Sequence, residues 1–289
     1  MNDFHDLADT FHREGFAAAP DIIDRSHIDC LITDFESVID GLAQDLMDDG
    51  SISESYESEP FDARIAHLSR AAGRSLQSQV SFPTNLSQAI FKFLHDDGLL
   101  DAIESLVGPE IYCNPTQHVR PKLPDSMEVS DWSGRSPVHQ DAAVLLPEAD
   151  QTLVVTSWIP LVDATRKNGT LNVYPKRHEG PILPHERCPY GWTVTESENP
   201  PEEPLTIEME KGGVIFIHGR TPHGSGPNRT ERVRWSLDLR WHDARKPGGR
   251  PLPGMLVRSR EHDVTTYDQW LSAWETARRD TRPRKMYRW

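Results

Sequence analysis

The apolar positions of this chain follow two different rhythms. Past Ser26, residues Ile28, Leu31, Ile32, Phe35, Val38, Ile39 and Leu42 recur at steps of three and four, which is the stripe of an amphipathic helix. Asp24 or Ser26 can cap its start. The spacing predicts a mainly helical region over residues 1 to 107. It contains a short first helix, a brief extended segment from Gly15 to Pro20, and further helices near 83–95 and 97–107, the last closed by Gly108-Pro109.

From Glu110 the texture changes to short apolar and β-branched runs separated by turn residues, at 111–120, 137–146, 152–159, 170–174, 204–209, 213–218 and 232–241. Many short strands at irregular spacing predict a sandwich or a jelly-roll barrel, so the fold class expected is mostly β with flanking helices. The 18 glycines and 23 prolines fit such a turn-rich centre better than a helix bundle. Two long stretches, 121–136 and 176–203, read as loops of the kind that cover or bind. Near the end, Trp270, Leu271, Trp274 and Ala277 give a last helix an apolar face. No internal repeat is visible.

The formal charge of −14 argues against nucleic acid and anionic membrane as partners. The local exception is Arg278, Arg279, Arg282, Arg284, Lys285 and Arg288, read as a solvated tail or internal charge pairing in preference to a ligand patch. Cys30, Cys113 and Cys188 are far apart and form no CxxC pair, so neither a disulfide framework nor a zinc ribbon is indicated. The opening MNDFHDLADTF lacks the features of a signal peptide, and no run reaches the ~18 apolar residues of a membrane span. A cytoplasmic protein is expected.

Chemistry enters at Ser136-Pro137-Val138-His139-Gln140-Asp141. Side chains alternate along a strand, so His139 and Asp141 on one strand would face the same side and share one metal. A His-x-Asp pair alone is a weak signal. Downstream, a strand from Gly213 runs into a turn carrying His218 and His223. Two imidazoles and a carboxylate leave adjacent positions open, the arrangement suited to non-haem iron(II). Spacing does not choose between His218 and His223.

The combination is more specific than its parts. His139-x-Asp141, Asn168-Gly169-Thr170-Leu171 with Pro175 and His178, then His223-Gly224-Ser225-Gly226-Pro227-Asn228 with Arg234 eleven residues past the histidine, resemble the phytanoyl-CoA dioxygenase family. The opening Phe11-His12-Arg13-Glu14-Gly15-Phe16 is also similar, so the resemblance spans residues 8–242. It implies a double-stranded β-helix, a cupin-like jelly-roll barrel, organised as a single oxygenase domain over 1–289. That domain would have a helical flank to 107, a core over 110–242 and a C-terminal extension over 243–289. It implies iron(II) held by His139, Asp141 and His223, and 2-oxoglutarate gripped by Arg234, whose planar fork suits a carboxylate. Ser225 is a helper in this reading, and Lys122 and Trp158 sit on strands that lend co-substrate contacts in relatives. Val138 departs from the family's usual tryptophan before the histidine.

The implied reaction is hydroxylation of an unactivated C–H bond of a small-molecule or acyl substrate, consuming dioxygen and releasing succinate and carbon dioxide. Halogenating relatives replace the carboxylate corresponding to Asp141, which is present here. His118, Arg120, Trp132 and Trp241 are candidates to line the substrate pocket. His218 is expected to be structural, and Arg220, Arg232 and Arg240 are surface or structural charges. The rival readings are a cupin-like hydrolase or isomerase using zinc or another metal, and a non-catalytic small-molecule-binding barrel.

Overall fold

The computed structural model describes residues 4–81, 85–127, 136–189 and 191–288. Helix α1 (His5–Glu14) feeds strand β1 (Phe16–Ala19), the extended segment expected between Gly15 and Pro20. Helix α2 (Arg25–Asp48) starts at Asp24, whose carboxylate accepts from the Ser26 amide, and buries Ile28, Leu31, Phe35, Ile39, Ala43 and Leu46. Helices α3 (Phe61–Ala71), α4 (Gln88–Phe93) and α5 (Asp97–Val107) complete the flank. The helix expected over 83–95 is shorter, because the Ser87 side chain caps the Ile90 amide and sets its start; residues 82–84 lie outside those described.

The β region begins with β2 (Ile111–Cys113) and β3 (His118–Lys122), where one strand over 111–120 was expected. Pro115 supplies no amide, and the buried side chains of Asn114 and Gln117 fill the gap between the two strands with bonds to Gly248, Thr116 and the Asn114 and Arg240 carbonyls. Next come β4 (Ser136–His139), β5 (Val155–Pro160) and β6 (Leu171–Val173). The stretch 176–203 is not wholly loop, since β7 (His185–Cys188) and β8 (Gly191–Val194) pair within it as a hairpin. Then follow β9 (Leu205–Ile207), β10 (Val214–His218), β11 (His223–Ser225), β12 (Arg234–Asp243), β13 (Met255–Arg258) and helix α6 (Tyr267–Arg279).

Two antiparallel sheets carry the site. The larger has the order β1-β10-β5-β12-β2-β13, with β3 also paired to β12; the smaller is β4-β11-β6-β9. Among the described residues no ladder joins them, so the jelly roll is not a closed barrel, which corrects the barrel expectation. The sheets meet through side chains instead: Lys122 of the larger bonds Ser225 of the smaller, and Thr156 of β5 bonds Asp141 just past β4.

Strand β12 shows how the sequence divides its faces. Trp235, Leu237, Leu239 and Trp241 join the core with the helical flank, where Trp235 stacks on Phe35 at 5.9 Å and Phe61 at 4.5 Å. The alternate positions Arg234, Ser236, Asp238 and Arg240 are polar and buried, and they face the site. Truncating a tryptophan packed like Trp235 costs about 3–5 kcal/mol. The basic C-terminal segment is largely engaged within the chain: Arg282 and Arg284 bond Asp280, and Arg288 bonds Asp150. No described helix is long and apolar enough to cross a membrane.

Candidate metal centre

His139 and His223 sit directly opposite one another in the β4–β11 ladder. This pairing needs a small residue at 224, because a Cβ there would lie 2.8 Å from the Ser136 carbonyl oxygen. The two rings stand 4.4 Å apart between centroids. Strand β4 ends at His139, and a 3-10 turn begins at Asp141, so the strand expected over 137–146 is cut short. Gln140 between them stays extended, at φ −115 and ψ 129, which preserves the alternation that puts both side chains on one side. Its own buried amide bonds the Arg220 carbonyl and the Leu183 amide and pins the turn.

Ligand atoms of His139, Asp141 and His223 lie within 4.8 Å of one another. Each imidazole turns Nδ1 to a backbone carbonyl, Pro137 for His139 and Thr221 for His223, both at 2.9 Å. Their Nε2 atoms face Asp141, at 3.7 and 3.9 Å. Fixing Nδ1–H on a carbonyl leaves the Nε2 lone pair for a metal, the orientation that ligating histidines adopt. Burial, with His139 alongside, pulls His223 down to about 4, so the ring is neutral and available as a ligand. Burial pushes Asp141 toward its neutral form, but Arg240, the hydrogen bond with His139 and the nearby imidazoles outweigh it and hold the carboxyl well below its usual range. Two imidazoles presenting Nε2 and an ionised carboxylate fit a divalent cation such as iron(II).

His218 does not join them. Its Nδ1 accepts from the Arg220 amide at 3.0 Å, its ring packs against His178 and Phe11, and it lines a different cavity beside Asp150 and Arg220.

Two cavities open on the triad. The smaller contains Lys122, Trp158, Ser225 and Arg234, and the larger, of about 510 Å³, contains His118 and Arg120. His139 lines both, His223 faces the smaller and Asp141 the larger. Arg234 pairs with Lys122 across the β12–β3 ladder. Its guanidinium lies over the Trp158 ring at 5.0 Å and donates to Ser236 Oγ at 2.6 Å, and Lys122 Nζ donates to Ser225 Oγ at 2.6 Å. Gly169, at φ +77, is the turn residue packed against this corner; a Cβ there would lie 2.6 Å from the Gly226 carbonyl and 3.1 Å from the Lys122 chain.

Arg234 is 3% exposed, with no carboxylate at ion-pair distance among the described residues and an Nε that has no acceptor. Burial pulls its pKa down to about 10, which leaves it charged at neutral pH.

Trp241 is not at the cavity. It is fully buried on the helix-facing side of β12, with its indole N–H on Ser157 Oγ at 2.8 Å, because position 241 is one step out of phase with Arg240. Trp132 lies outside the described residues. Arg240, read from sequence as a surface or structural charge, is buried in the centre and donates to Asp141. Asp238, bonded to Arg120, and Thr156, bonded to Asp141, were also missed. The polar alternation Arg234-x-Ser236-x-Asp238-x-Arg240 in an apolar strand was the available signal.

The structure is similar to an apo non-heme monooxygenase, ThoJ, with a TM-score of 0.61 at 19% identity over 94% of this chain and 95% of that one. It also resembles the epimerase SnoN in complex with Fe3+, alpha ketoglutarate and nogalamycin RO, with a TM-score of 0.58 at 20% identity, covering 92% and 96% of the two chains. These likenesses are of fold. In sequence, the peroxisomal phytanoyl-CoA dioxygenase of Rattus norvegicus is 29% identical over 161 residues, 54% of this chain and 46% of that protein. The 1-deoxypentalenic acid 11-beta-hydroxylase of Streptomyces arenae is 31% identical over 152 residues, 47% of this chain and 51% of that protein. The chain thus spans about half the length of the curated relatives it matches. The family model for phytanoyl-CoA dioxygenase matches residues 11–236, a span that includes His139, Asp141, His223 and Arg234, and the chain belongs to the phytanoyl-CoA dioxygenase family.

Proposed function

We propose that this protein is an iron(II)- and 2-oxoglutarate-dependent oxygenase that hydroxylates a C–H bond of a small-molecule substrate. The observation that carries the reading is Arg234. A buried guanidinium without a carboxylate partner costs several kcal/mol, and this one stands in the smaller cavity, beside a cation-ready triad. An anionic ligand that also reaches the metal resolves both demands, and a 2-oxo diacid has the two ends required.

In this account His139, Asp141 and His223 hold iron(II). Arg234 takes the distal carboxylate of 2-oxoglutarate through its planar fork, Lys122 and Ser225 supply further donors beside it, and Trp158 sets the guanidinium's position by lying against its face. When bound, iron and 2-oxoglutarate supply the oxidising chemistry, with succinate and carbon dioxide as by-products and dioxygen consumed. The chain's own part is to fix the three ligands, orient the co-substrate on one side and present the substrate from the larger cavity on the other. A zinc hydrolase would have no use for a buried arginine in a separate pocket, and a simple binding barrel would not need the ligand set.

The test is metal analysis of the purified protein combined with succinate release from 2-oxoglutarate under air. Iron-dependent succinate formation that needs a roughly tenfold or higher concentration of 2-oxoglutarate in Arg234→Ala supports the reading. Hydrolytic turnover with zinc and no succinate contradicts it.

A further inference from the structure

The larger cavity carries a second arginine with no carboxylate partner among the described residues. Three guanidinium groups line it. Arg240 is paired with Asp141 and Arg120 with Asp238. Arg250, in the segment between β12 and β13, forms no ion pair among the described residues. Its Nε donates to Thr116 Oγ1 at 3.0 Å and its Nη1 to the Met286 carbonyl, while its plane stacks on Tyr287 with a centroid distance of 4.6 Å. Those contacts engage Nε and Nη1, and Nη2 has no protein partner among the described residues. Burial pulls Arg250 below the ordinary arginine value, the direction expected for a cation short of counter-charge.

The rest of the wall is mainly apolar: Pro137, Val144, Trp192, Leu252, Trp274 and Tyr287. The C-terminal residues in it are fixed in place, since Arg288 is bonded to Asp150 and Arg187 lies over both Trp192 and Tyr287. The volume of about 510 Å³ is that of a small-molecule site. An apolar chamber with one fixed, un-neutralised guanidinium selects a compact hydrophobic molecule bearing a single planar anion. A doubly charged phosphate would require a second free cation, and Arg120 and Arg240 are already committed.

We infer that the substrate is a compact, largely hydrocarbon monocarboxylate whose carboxylate docks on Arg250 while its hydrocarbon body turns toward His139 and Asp141. This inference rests on the oxygenase reading for what happens to the substrate, but not for its binding.

The test is anaerobic calorimetry on the full chain with iron(II) and saturating 2-oxoglutarate, which keeps added acids out of the Arg234 pocket. The probes are 1-adamantanecarboxylate and cyclohexaneacetate, each beside its neutral primary amide. Both acids should bind more tightly than their amides. Arg250→Gln should weaken the acids about tenfold or more, as loss of a charge-assisted contact does, and leave amide affinity unchanged; Arg250→Lys should restore part. A merely structural role through Met286 and Tyr287 would weaken acid and amide alike, and that result overturns the inference. So does equal binding of acids and amides to the unmutated protein, or binding of neither acid. The 2-oxoglutarate heat measured first in each variant reports folding. It also separates the two proposals: its absence from the unmutated protein sinks the oxygenase reading, while Arg250-dependent acid binding without 2-oxoglutarate leaves this one standing.

Discussion

Arg240 Nη2 donates to Asp141 Oδ1 at 2.6 Å, and both side chains are buried, at 4% and 1% exposure. The carboxylate proposed to hold the metal thus already has a cationic partner, with Thr156 on its other oxygen. A metal cation and the guanidinium would share one charge. Replacing Arg240 with methionine removes that partner and leaves a buried carboxylate exposed to the full cost of desolvation, about 3–5 kcal/mol. The metal-free variant should therefore melt well below the unmutated protein. Added iron(II) should raise its melting temperature by more than it raises that of the unmutated protein, because the cation takes over the role of Arg240. A smaller metal-induced rise in the variant would show that Arg240 supports metal binding chiefly by orienting Asp141.

Arg234 sets the second prediction. Arg234→Ala should weaken 2-oxoglutarate binding about tenfold or more, in line with a lost charge-assisted contact of ~1.5–3 kcal/mol. Arg234→Lys should recover only part, since an ammonium cannot reproduce the fork. Calorimetry of 2-oxoglutarate binding to metal-loaded protein checks both, and unchanged affinity in the alanine variant would remove Arg234 from the co-substrate site.

Much of this was legible in the chain, for definable reasons. The stripe from Ile28 to Leu42 gave α2, because helical amphipathicity is a local property of sequence. His139 and Asp141 could be picked out because a two-residue step keeps both side chains on one side, whereas His223 was separated from His218 only by the family resemblance, since spacing does not choose between them. Strand ends were less legible. Asn114 and Gln117 break the first run through side-chain bonds to partners as distant as Gly248 and Arg240, which no local pattern reports. Arg240 was misread because its partner is 99 residues away. Trp241 was misassigned because one residue of phase decides which face of β12 a side chain joins. Arg250 gave no signal at all, lying in a proline- and glycine-rich connection whose partners are Thr116 and the C-terminal segment.

On the proposed reading, Asp141 would also decide the kind of product. With His139, Asp141 and His223 as the proposed iron ligands and 2-oxoglutarate chelating beside them, the centre would keep a place for dioxygen and none for halide. Mass spectrometry of the product formed in chloride-containing buffer should show gain of oxygen. A chlorinated product from the unmutated protein would overturn the role given to Asp141.

The most direct test of the central claim is an anaerobic absorption titration with iron(II) and 2-oxoglutarate, run on the unmutated protein, His223→Ala and His218→Ala. A 2-oxo acid chelating iron(II) gives a visible charge-transfer band, which reports the assembled centre without requiring substrate or turnover. The account predicts a saturable band of one iron per chain in the unmutated protein, its retention in His218→Ala and its loss in His223→Ala. Retention of the band in His223→Ala with loss in His218→Ala would contradict it.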